Sequence, residues 1–250
     1  MSEEKLSFWE KYACNINIDN FRAPGFLGET GSRDQLIKYI IDIGRESWID
    51  TCKEDGSWGV KAEMYGNRLV SRDLVDSIVE IDWMTKALGS NQWDTILDIG
   101  SGYGRMAHRL HQLYPEKKVY NTDMIDVSLQ SCKKYMEFRN ISAPTFHGND
   151  LPDDVQFDLA MNIHSFPELK REEINWWLDW LVSHKVPRLF IIPHCLGDDP
   201  HDQMILIHDG LSFKPDILAH GYEVEHHWVG PDFFKRYFYI FKNPSFIKEQ

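Results

Sequence analysis

The chain is poor in cysteine, in positive charge and in long apolar runs, and each shortage removes a class of protein. Its four cysteines (Cys14, Cys52, Cys132 and Cys195) are far apart and form no C-x-x-C pair. That spacing argues against a disulfide frame or a zinc knuckle and for reduced thiols in a cytoplasmic protein. A net charge of −12 offers no broad basic surface for nucleic acid or anionic membrane, although a local basic pocket for one phosphorylated small molecule is still compatible. No apolar run reaches about eighteen residues, and the opening stretch MSEEKLSFWEKY is charged, so neither membrane insertion nor a signal segment is expected.

What is present is enough for a full core, with 42% hydrophobic and 13% aromatic residues in 250. That length fits one domain with an added segment. Residues 1–70 are mixed: RAPGFLGETGS reads as a loop, RDQLIKYIIDIGRESWID has helical spacing, and KEDGSWG is another break. They are read as a helical and loop extension, a lid or substrate-binding element, ahead of a domain at 71–250. A helix starts at Ser71 as N-cap, with Asp73 in its first turn and Leu74, Ile78, Ile81 and Leu88 on one face. From DTILDIG onward strands alternate with amphipathic helices, which predicts right-handed crossovers and a mostly parallel α/β sheet. Two closing strands without a helix between them, joined at Gly230-Pro231, predict an antiparallel last strand.

TILDIGSGYGR (95–105) is a strand, a glycine turn and a helix start. Gly100, Gly102 and Gly104 let the backbone turn sharply and let a ligand approach the amides at the helix end. The third glycine of a dinucleotide fingerprint is lacking, because position 105 is Arg105. Asp98 would repel a pyrophosphate and suits a ligand bearing ammonium or sulfonium. Asp123 ends the next strand, where a carboxylate can accept from both ribose hydroxyls. In HGND (147–150), Asn149 or Asp150 can meet an adenine edge.

On these residues the chain resembles the class I S-adenosylmethionine-dependent methyltransferases over roughly residues 90–245. The resemblance implies a Rossmann-like, mostly parallel seven-stranded sheet and S-adenosylmethionine as cofactor. The cofactor would be held by Asp98, Gly100, Ser101, Gly102, Gly104, Arg105, Asp123, Met124, Asn149, Asp150 and Asn162. YGNRLVSRDLVDSIVEIDW (65–83), LDIGSGYGR and FDLAMNIHSFPE together resemble the bacterial sugar O-methyltransferase family. That likeness implies methylation of a sugar or nucleotide-sugar hydroxyl in polysaccharide, O-antigen or capsule biosynthesis.

The acceptor is expected after the fourth strand of this unit, at NIHSFPE, where the N-P-P-Y of many nitrogen methylators is missing. His164 there is either a hydrogen-bonded strand-end residue or the general base, and the base is preferred, with Glu168 or Ser165 orienting it. His194 is the rival. Asp198, Asp199 and His201, with Asp202, offer a divalent-metal site, but a solvated acidic loop is the preferred reading of them. Arg68 and Arg72 either hold a nucleotide diphosphate or form an ordinary surface or helix-end pairing with Asp73 and Asp76, and Tyr65 and Trp58 either stack on a sugar or pack in the core. Trp176, Trp177 and Trp180 are read as core. The alternatives are a methyltransferase for another small O- or N-acceptor, or a non-catalytic cofactor-binding subunit.

Overall fold

The computed structural model describes residues 30–194, 199, 201–234 and 236–247. Two helices, α1 (Thr30–Asp42) and α2 (Glu46–Thr51), lead to a hairpin of β1 (Ala62–Tyr65) and β2 (Arg68–Ser71). The hairpin closes through Gly66 and Asn67, with Tyr65 opposite Arg68 and Gly66 at φ +61°, the conformation a tight two-residue turn requires. The sequence reading held no strands here, because four residues per arm are too few to display alternation. The hairpin runs straight into α3 (Arg72–Leu88), and Ser71 caps that helix, its Oγ accepting from the Leu74 amide at 3.0 Å. Leu36, Ile37 and Ile40 of α1 share one apolar cluster with α3 and the sheet.

The remaining elements are β3 (Thr95–Ile99), α4 (Arg105–Leu113), β4 (Lys118–Asp123), α5 (Asp126–Arg139), β5 (Thr145–His147), β6 (Leu159–Ile163), α6 (Arg171–Ser183), β7 (Arg188–Ile192), α7 (Lys214–Ala219), β8 (Glu223–Val229) and β9 (Tyr237–Lys242). Their sheet has seven strands in the order β5-β4-β3-β6-β7-β9-β8. β3 to β7 pair in parallel, and β9 is antiparallel to both its neighbours, as the helix-free tail predicts. Alternate residues serve opposite layers. Ile96, Met161, Phe190 and Ile240 face α3, α4 and α5. Leu97, Ala160, Leu189 and Phe241 face α6 and α7. Because β3 connects outward to β4 and β6 returns on its other side, strand order switches between β3 and β6. Ligands of such sheets bind outside the carboxyl ends at that point.

Candidate active site

The glycine turn follows β3 at the switch. Gly100 has φ +75°, and a Cβ there would lie 2.2 Å from Ser165 Oγ, so only glycine lets this turn meet the turn after β6. Gly104, at φ +88°, is equally restricted, since its Cβ would stand 2.8 Å from Met136 Cε and 2.9 Å from Cys132 Sγ of α5. The turn hangs from β4: the amides of Gly100 and Ser101 donate to the Thr122 carbonyl at 2.8 and 3.0 Å, and that of Gly102 to Asp123 Oδ2 at 3.2 Å.

Two buried carboxylates flank it. Asp98 is 3% exposed and Asp123 9%. Burial pushes the Asp98 carboxyl up to about 7; Arg105 pulls it down, while Asp123 and Glu80 add to the rise. Burial also lifts Asp123, to about 6, against the Ile125 and Gly102 amides that stabilise its charge. Such carboxylates fit a cationic ligand or a diol: either would stabilise the ionised form that burial opposes. Met124 is exposed and lies beside the HGND turn, its Sδ 2.4 Å from where a Cβ on Gly148 would be. Asn149 and Asp150 are exposed there; the Asn149 amide donates to His147 Nδ1 at 3.3 Å. A cavity of about 320 Å³ adjoins this turn, lined in part by Asp126, Gln130, Lys133, His147 and Asp150.

The turn after β6 is tied to β3. Asn162, fully buried, donates through Nδ2 to the Ile99 carbonyl at 2.9 Å and to Ser165 Oγ, and its Oδ1 accepts from the Phe166 amide at 2.9 Å. Its polar atoms thus serve protein partners, and Ser165 turns toward Asn162 and Ile99 rather than orienting His164. His164 is half-buried with φ +70°, a backbone region in which few side chains sit. Its amide donates to the Ile192 carbonyl at 2.8 Å. Its ring stacks on His194, centroids 4.9 Å apart and 15° from coplanar. His164 Nε2 accepts from Arg236 Nη1 at 2.8 Å. Burial, then Arg236, His194 and Arg105, hold its pKa well below the ordinary value. This differs from the expected free base, because the lone pair of Nε2 is engaged. Glu168, expected to orient His164, instead faces His194, with Oε1 at 3.5 Å from its Nε2.

Arg236 and its partner Glu80 are not among the residues singled out from the sequence. Arg236, from the β8–β9 connection, is 6% exposed and bonds Glu80 Oε1 and Asp76 Oδ2, each at 2.9 Å. Glu80 Oε2 accepts from Arg105 at 2.6 Å, and Asp76 Oδ1 from Arg72 at 2.7 Å. Arg105 also bonds Ser77 Oγ at 2.8 Å, so its guanidinium points toward α3. The spacing Asp76, Ser77, Glu80 puts one polar face of α3 against these arginines.

Other candidates lie apart or are engaged. Arg68 grips Asp50 through two bonds of 2.7 and 2.9 Å and Glu46 at 2.7 Å, so it is committed to a surface pairing with α2 rather than poised for a diphosphate. Tyr65 and Trp58 pack on the core cluster. Asp198 lies outside the described residues; Asp199 accepts from the His201 amide at 2.8 Å. Among the described residues no three carboxylate, imidazole or thiol groups gather as a metal site. Trp177 is buried and Trp180 packs beside it, whereas Trp176 is 39% exposed. Among the described residues no helix is long and apolar enough to cross a membrane.

The switch-point crevice of this doubly wound domain, with its glycine turn and two acids, suits a nucleoside ligand. Residues 96–184 match the model of a family described as a methyltransferase domain. The fold is the Rossmann-like fold of the class I methyltransferases, and the matched segment supports S-adenosylmethionine-dependent methyl transfer as its chemistry. Solved structures share the fold. The PH0226 protein of Pyrococcus horikoshii OT3 is 13% identical, with 69% of this chain and 92% of that one covered, at a TM-score of 0.53. The methyltransferase domain of bacterial CtHen1-CN is 14% identical, with 65% and 96% covered, at 0.50. No curated protein matches the chain in sequence.

Proposed function

We propose that the domain methylates a hydroxyl of a sugar or nucleotide-sugar, with His194 as general base and Glu168 as its charge partner. The observation that carries this reading is the pair of stacked imidazoles after β6 and β7, with Glu168 3.5 Å from His194. The cofactor supplies an electrophilic methyl group on a sulfonium centre. Asp98 and Asp123 suit its cationic part and its ribose, the turn of Gly100, Gly102 and Gly104 admits close backbone approach, and Met124 with Asn149 and Asp150 flanks the adenine place. A sugar hydroxyl is a weak nucleophile until its proton leaves as the oxygen attacks. His194 takes that proton, and the Glu168 carboxylate stabilises the imidazolium that forms. The sugar class is supported by the likeness of residues 65–83, 97–105 and 157–168 to sugar O-methyltransferases, and by the lack of the N-P-P-Y pattern.

The test is incubation with S-adenosylmethionine and a panel of free and nucleotide-linked sugars, read by mass spectrometry for one added methyl group. One methylated sugar is expected; methylation confined to amines would refute the hydroxyl reading. His194→Ala is expected to lower kcat by about 10²–10⁴ with cofactor affinity unchanged. Full turnover by that variant would remove His194 from the role.

A further inference from the structure

We propose that Arg236 is a positioning residue that, acting through His164, presents a hydrogen-bond donor to an oxygen of the acceptor. The argument starts from inventory. A guanidinium has five N–H donors and no acceptor, so the 2.8 Å contact between Arg236 Nη1 and His164 Nε2 requires the lone pair on Nε2. In the neutral ring the proton then sits on Nδ1. His164 Nδ1 is buried and has no partner among the described residues. A buried N–H left without an acceptor is unfavourable in the protein alone and is relieved when a ligand oxygen arrives.

The surroundings hold this tautomer from every side. Arg236 is anchored at 2.9 Å to both Glu80 and Asp76 of α3, so it cannot turn away from the ring. Those acids are also shared with Arg105 of α4 and Arg72, which keeps positive charge next to His164. Protonating Nε2 would set an imidazolium against Arg236, and His194 stacks on the remaining face. The backbone of His164 is held in its uncommon conformation by the bond to Ile192. Strained residues that the surroundings over-determine are commonly functional. Two stacked histidines therefore divide the work: His194 beside Glu168 accepts a proton, and His164 beside Arg236 donates a hydrogen bond. A polyol suits the pair, because one hydroxyl can face the base while a neighbouring oxygen takes the Nδ1 proton.

This inference rests on the hydroxyl-methylation reading only for its ligand; the state of the ring is measurable without activity. Long-range ¹H–¹⁵N spectra of histidine-labelled full-length protein, assigned with His164→Gln, are expected to show His164 as the neutral Nδ1–H form throughout about pH 5.5–8. An Nε2–H ring or an imidazolium in that range would overturn the proposal. In folded Arg236→Met the ring is expected to lose that fixed tautomer; an unchanged signal overturns the role of Arg236. If Arg236→Met does not fold, two His164 variants decide. Asn places its amide nitrogen near the Nδ1 position and Gln near Nε2. His164→Asn is expected to keep acceptor KM within about tenfold of wild type while His164→Gln raises it further; equal losses overturn the donor role. Failure of the methyl-transfer reading is separate, since it appears as no product from the wild-type protein on any sugar.

Discussion

The two walls of the crevice use the same residue types in opposite ways. On the α3 wall, Asp76 and Glu80 are buried and spend their oxygens on Arg72, Arg105 and Arg236. On the β3–β4 wall, Asp98 and Asp123 are about as deeply buried, yet their pKa values are pushed up to about 7 and about 6. Paired carboxylates stabilise a wall once its charges are in place, and breaking one pair leaves another charge buried alone. Carboxylates strained by burial are instead completed by a ligand, and a cation or diol gains what the protein alone lacks. One wall is neutralised within the protein, and the other holds acids that burial leaves without a full counter-charge.

The largest way to test this contrast is Glu80→Ala, which takes a carboxylate partner from Arg105 and one of the two from Arg236. A loss of about 3–5 kcal/mol in unfolding free energy is expected, measured by chemical denaturation. Asp98→Asn is the opposite case. It is expected to weaken S-adenosylmethionine binding by about 10–100-fold in calorimetry while leaving the thermal midpoint at pH 8 equal to or above that of the parent. If Asp98→Asn destabilised as strongly as Glu80→Ala, the two walls would not differ.

Acidity sharpens the comparison further. The folded pKa values of Asp98 and Asp123 lie above the unfolded value near ~3.9, so the folded cofactor-free protein holds more protons between about pH 4 and 7. Their contribution to stability therefore falls as pH rises through that window. Cofactor affinity is expected to move the other way, tightening from about pH 5.5 to 8 by up to roughly tenfold per pH unit, with the slope reduced in Asp98→Asn. His164 has the reverse sign for stability: its pKa is lowered, so its contribution is lost as pH falls below about 6.5. The smallest effect is expected for Arg68→Ala, an exposed pairing with Asp50 and Glu46, which should shift neither the thermal midpoint nor methyl transfer measurably.

Much of this was readable along the chain. The period-two strands, the helix start at Ser71, the glycine turn and the acids Asp98 and Asp123 follow from patterns a few residues long. The short hairpin at Ala62–Ser71 was not readable, because its arms are four residues each and its only mark is Gly66 in the turn. His164 is read from the sequence as the candidate base with Glu168 or Ser165 beside it; in the structure Glu168 faces His194, and Arg236 holds His164.

By itself, then, the sequence determined the α/β order, the glycine turn and the strand-end positions of Asp98 and Asp123, since glycine conformation and strand or helix periodicity are local properties. Only the tertiary structure decided which charges neutralise which. Arg236 reaches Glu80 across 156 positions, and nothing in the RDLVDSIVE helix separates a buried acidic face from a solvated one. Hydrogen-bond and charge partners, such as Arg236 for His164 and Glu168 for His194, depend on distances through space that no spacing along the chain encodes.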